Sequence, residues 1–86
     1  MAKLYPFNAT KHAHDVEFRY NRVFNTMHDK RMNGEVDDEY EKLDELHTKL
    51  QGVLEQCMGG GIVWLEGKDW ALANECIGWA ATMRGM

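Results

Sequence analysis

The chain has 86 residues, a net charge of −4 and two cysteines, which fits one domain and excludes a disulfide framework. No apolar run approaches the roughly 18 residues of a membrane span, and the opening Met1–Phe7, with one basic residue and Pro6, does not read as a signal sequence. The composition therefore predicts a soluble cytoplasmic protein, read as a single helical domain over 1–86, with Cys57 and Cys76 as reduced thiols buried on helices.

Charge is unevenly placed. Residues 1–32 carry six Lys/Arg against three Asp/Glu, residues 33–58 two against eight, and the last 28 residues two against three. A basic first third beside an acidic middle reads first as two segments that attract one another.

Residues 1–9 form an extended arm, because Pro6 keeps Tyr5 out of helical geometry. Leu4, Tyr5 and Phe7 are costly to leave in water, so the arm is expected to dock on a helix or on a neighbouring subunit. Asn8 or Thr10 can then cap a first helix over about 10–32. Ala13, Val16, Tyr20, Val23, Phe24 and Met27 recur at steps of three and four on its apolar face, with Phe18 off that stripe. Asp15 and Arg19 stand one turn apart and can pair weakly. Asn33-Gly34 ends the helix.

A second helix is predicted over about 36–58, with Asp38 and Glu41 at the spacing of a capping box and acids filling its first turns. Asp38/Lys42 and Glu45/Lys49 have the spacing of supporting pairs. Val36, Tyr40, Leu43, His47, Leu50, Leu54 and Cys57 step regularly by four and three, a seam widened by Leu46 and Val53. The short connection predicts an antiparallel hairpin.

Gly59-Gly60-Gly61 stops the second helix, since each glycine loses more backbone freedom than alanine. Residues 59–67 are read as a glycine-rich linker. Ile62-Val63-Trp64-Leu65 has strand-like composition, but its only ladder within the chain would be the Leu4–Phe7 arm, so a strand here would suggest pairing across a dimer. A third helix follows over about 68–84, apolar around most of its circumference. Gly78 in its middle is easier to understand if a neighbour packs against it. A hairpin covers only one side of such a helix, so the fold class predicted is an all-α helical homo-oligomer. Phe18, Trp64, Trp70, Trp79 and Met83 are the candidate partner-interface residues.

Candidate chemistry is sparse. His12 and His14 diverge around the first helix, and no zinc spacing is present. His47 occupies a seam position and reads as an interior histidine that fixes register, or as a pH-sensitive contact. Arg19, Arg22, Thr26 and Lys30 line one face of the first helix, with Lys11 and Tyr20 nearby. Guanidinium groups suit phosphate oxygens, so this stripe is the candidate site for a small anion such as a nucleotide. The simpler reading is that these cations answer the acids of the second helix. Double-stranded nucleic acid is disfavoured by the negative total charge and the short positive surface. The acidic run Glu35–Glu45 could face a basic protein or imitate nucleic acid. The glycine run lacks the Gly-Lys-Ser/Thr of a phosphate loop, and no serine is present as a nucleophile. The expectation is no catalytic residue, metal or cofactor. The function expected is a regulatory or inhibitory protein that binds an unidentified protein, of a size class that includes proteins carried by phages and other mobile elements. Capture of a small phosphorylated ligand by the stripe is the alternative.

Overall fold

The structure, a computed structural model, describes residues 3–85, so the first two residues of the predicted arm lie outside the described part. In chain order it comprises β1 (Leu4–Asn8), α1 (Ala9–Met32), α2 (Asp38–Cys57), β2 (Ile62–Glu66) and α3 (Gly67–Arg84). The three helices lie close to their predicted spans. The linker does not: most of it is a strand, and the all-α reading gives way to a mostly helical fold with a small sheet.

Asn8 caps α1, its side-chain oxygen accepting from the Lys11 amide at 3.1 Å. Gly34, with φ of 73°, turns the chain out of α1. The cap of α2 is Asp37 rather than Asp38, its Oδ1 accepting from the Tyr40 amide at 3.0 Å. Val36 therefore lies outside the helix and outside the seam, 63% exposed. Val16, Val23 and Met27 of α1 meet Leu50, Val53 and Cys57 of α2 in the core. Phe24 is 53% exposed. With Val23 and Met27 pointing inward, Phe24 falls to the flank, 5.9 Å from the His47 ring.

The sheet closes this core. β1 and β2 pair antiparallel within the chain, from Leu4 opposite Glu66 to Asn8 opposite Ile62. The ladder for Ile62–Leu65 is thus the arm of the same chain. Successive side chains point to opposite faces, so Phe7 and Leu65 enter the core while Leu4, Pro6, Ile62 and Trp64 face outward. Positive φ at Gly60 and Gly61, 68° and 72°, makes the turn into β2. The Gly61 amide donates to Thr10 Oγ1, and the Ala9 amide donates to the Gly61 carbonyl at 2.8 Å.

The apolar girth of α3 is answered inside the chain. Ala73, Cys76 and Ala80 are buried. Trp70 stacks on Tyr5 at 5.1 Å and donates its indole N–H to the Pro6 carbonyl at 3.0 Å. Trp79 packs edge-on against Phe18 at 5.0 Å. The exposed side holds Ala71, Asn74, Glu75, Gly78, Ala81 and Thr82, which are small or polar. The ribbon supplies the cover that a helical hairpin alone lacks, so α3 no longer argues for an oligomer. Gly78 is open, with nothing within 4 Å of the place a Cβ would take, so no neighbour explains it.

Two substitutions test this account by urea denaturation. Phe7→Ala, although in a five-residue strand near the terminus, should cost about 3–5 kcal/mol as a core truncation. Gly78→Ala should stabilise by about 0.5–1 kcal/mol, because an exposed mid-helix glycine carries only its entropic penalty.

Candidate functional site

The cationic stripe of α1 is divided among different neighbours. Lys30 lies within 3.5–3.7 Å of Glu35, Asp37 and Glu39, where the acidic start of α2 meets the end of α1. Burial works to lower its pKa, but the three carboxylates outweigh it and hold the ammonium above the ordinary lysine value. Tyr20 stacks on His47 at 4.6 Å. Lys11 is exposed in the first turn of α1, away from the rest. Thr26 donates its hydroxyl to the Arg22 carbonyl of its own helix at 2.9 Å.

Arg19, Arg22 and Thr26 do come together. With Trp79 and Met83 of α3 and Leu43 and Leu46 of α2, they line an open groove of about 530 Å³ where the three helices meet. Its lining is mixed, and Asp29 and Asn25 lie among the polar residues. Arg19 is already engaged, 3.9 Å from Glu75 and 5.9 Å from the Trp79 ring. Arg22 forms no ion pair among the described residues.

The other α1–α3 contacts are structural. Asp15, expected to pair with Arg19, is buried instead and accepts from Arg84 at 2.7 Å, with His12 Nδ1 at 3.2 Å. Arg84 lies 5.6 Å from the Phe18 ring. Arg84, Phe18, Trp79 and Arg19 thus form a run of two touching rings flanked by cations that pins α3 to α1. Phe18, Trp70 and Trp79, all candidate partner residues, spend much of their apolar surface on contacts within the chain. Trp64 does not, and is 59% exposed.

Glu45 and Lys49 pair at 3.4 Å as their spacing predicts, whereas Asp38 and Lys42 form no pair among the described residues. His47 is a half-buried seam residue whose Nε2 finds no hydrogen-bond partner among the described residues. It borders a small cavity of about 160 Å³ with Phe24, His28, Arg31 and Asp44. Cys57 and Cys76 are buried free thiols, and burial pushes both pKa values up, against the pull of Arg19 in the case of Cys76. Neither environment favours the thiolate.

One group of exposed apolar residues is gathered on a single face by the strand pairing. Leu4, Ile62 and Trp64, at 49%, 56% and 59% exposure, share the outer face of the ribbon with Pro6. The signal is present in the unbroken apolar runs Leu4-Tyr5-Pro6-Phe7 and Ile62-Val63-Trp64-Leu65, which put apolar side chains on both faces once the strands are paired.

No protein-family model, no curated protein and no solved structure matches the chain.

The junction of Asp37 and Lys30 makes a pH prediction. The Tyr40 amide holds the Asp37 carboxyl below its usual value, against the effect of burial and with help from Lys30. A depressed carboxylate stabilises above its unfolded pKa of about 3.9, and that stabilisation is lost as pH falls through the folded value. Asp37→Asn keeps a capping acceptor and removes the titration. Its Tm should lie below wild type near neutral pH, and the gap should shrink as pH falls from about 5 to about 3.

Proposed function

We propose that the protein is a small, non-enzymatic regulatory or inhibitory binding protein that acts in the cytoplasm through protein–protein contact. The outer face of the ribbon is its contact surface. The observation that carries this reading is the grouping of Leu4, Ile62 and Trp64 around Pro6 on one exposed face. Single exposed apolar residues are ordinary on protein surfaces. Three large ones on one ribbon, centred on a tryptophan, form the kind of anchor that dominates binding energy. Phe7 and Leu65 lock the opposite face into the core, so a partner meets a surface ordered in advance. No described helix is long and apolar enough to cross a membrane, which accords with a partner in solution.

Affinity capture from the source cell tests the surface. Leu4→Lys, which sets an ammonium opposite Glu66, should alter stability by less than about 0.5 kcal/mol yet weaken partner recovery by about tenfold or more. Arg22→Ala should leave recovery intact. Undiminished recovery by Leu4→Lys would contradict the assignment.

The groove favours a second reading, capture of a small anion such as a nucleotide. Arg22 faces it without an ion pair among the described residues, beside the flat indole of Trp79. Thermal stability should then rise with one member of a nucleotide panel, and Arg22→Ala should abolish the rise. No shift with any nucleotide excludes it.

A further inference from the structure

The ribbon has two edges, and they are chemically unequal. The Ala9 amide donates to the Gly61 carbonyl, and these two residues extend the strand register by one pair. In an antiparallel ladder, hydrogen-bonded pairs alternate with non-bonded ones. Phe7–Val63 and Tyr5–Leu65 are therefore the bonded pairs. Leu4, Pro6 and Asn8 turn their main-chain groups to the outer edge of β1, and Ile62, Trp64 and Glu66 turn theirs to the outer edge of β2.

The β1 edge is closed at its centre. Pro6 has no N–H to offer, and its carbonyl accepts the Trp70 indole. The β2 edge is open. Among the described residues no hydrogen bond reaches the amide or carbonyl of Ile62 or Trp64 on that side. An apolar strand with an open edge is a template for strand addition.

We propose that β2 pairs along this edge, antiparallel, with β2 of a second copy of the chain, about a two-fold axis at Trp64. This deepens the reading of the ribbon as the working surface and rests on it. Trp64 would lie opposite Trp64 of the partner subunit as a hydrogen-bonded pair, and Ile62 opposite Glu66 of the partner subunit. Glu66 is the one charged residue in β2. The two-fold sets each Glu66 against an isoleucine and holds the two carboxylates roughly 13 Å apart, four residues along the strand. Like charges therefore never meet across the junction, and the edge is complementary to itself.

The resulting four-stranded sheet, β1-β2-β2-β1, ends on both sides at a Pro6-blocked edge. Assembly stops at two copies, as closed symmetry requires. Pairing also places two copies of the Leu4, Ile62 and Trp64 face side by side, which doubles the surface offered to a protein partner.

Sedimentation or light scattering across a dilution series tests the pairing with three proteins. Wild type should show twice the 10.0 kDa chain mass. Trp64→Pro removes the indole and the outward amide but leaves the bonded pairs to β1, so it should run as a folded single chain by circular dichroism. Trp64→Thr keeps the amide and should still dimerise. A wild type that stays a single chain at millimolar concentration overturns the proposal. So does a dimeric Trp64→Pro, or a Trp64→Thr that is monomeric like Trp64→Pro. If Trp64→Pro does not fold, amide exchange in the wild type decides. The Trp64 amide should slow by about tenfold or more with rising concentration, while Val63 and Leu65 stay protected throughout. Exchange at Trp64 that is independent of concentration overturns the pairing. Leu4→Lys, on the far strand, should remain dimeric while losing partner capture. A monomeric wild type that still captures its partner overturns the pairing alone.

Discussion

The pairing of Leu4–Asn8 with Ile62–Glu66 is the constraint on which the other parts depend. The period of two sends Phe7 and Leu65 inward together, and they seal the end of a core that two helices alone would leave open. The same register sets the Ala9 amide on the Gly61 carbonyl and the Gly61 amide on Thr10. The start of α1 and the turn into β2 are thereby fixed to each other. At Gly67, the first residue of α3, a Cβ would stand 3.6 Å from the Tyr5 ring. The ribbon thus sets where two of the three helices begin.

The helices are legible in the sequence because their information is local. Periodic apolar positions, Asn8 as a cap and Gly34 as a terminator act within a turn or two of the chain, and each marks its boundary without reference to anything distant. The capping acid of α2 differs by one residue from the expected one, since Asp37 and Asp38 both offer a carboxylate. The ribbon is not legible with the same clarity. Either strand read alone lacks a ladder, and the pairing joins residues at opposite ends of the sequence. The cover that α3 finds within the chain is hidden for the same reason. The apolar girth of the helix is plain in the sequence, but Trp70 and Tyr5 cannot be matched until β1 is in place. The candidate site is half legible for a similar reason. Helical spacing aligns Arg19, Arg22, Thr26 and Lys30, but which acids claim them depends on α2 and α3. Lys30 goes to Glu35, Asp37 and Glu39, Arg19 to Glu75, and the groove keeps Arg22.

Several of the chain's cations are spent on holding it together. The run of Arg84, Phe18, Trp79 and Arg19 joins α1 to α3, and Lys30 joins α1 to α2. Such exposed pairs orient elements more than they stabilise them. Arg22 stays unpaired among the described residues, and the ribbon keeps three exposed apolar side chains and one open main-chain edge. The proposed role rests on those exposed ribbon residues.

Isotope-filtered NMR on a sample of mixed labelled and unlabelled chains tests the central claim, that the arm pairs with β2 of its own chain. Pro6 and Trp64 form a non-bonded pair, in which opposing Cα atoms approach to about 4.5 Å, close enough for a strong Hα–Hα contact. An intrachain ribbon predicts that contact within a single labelled chain. Its appearance only between labelled and unlabelled chains, or its absence from both, would contradict the account.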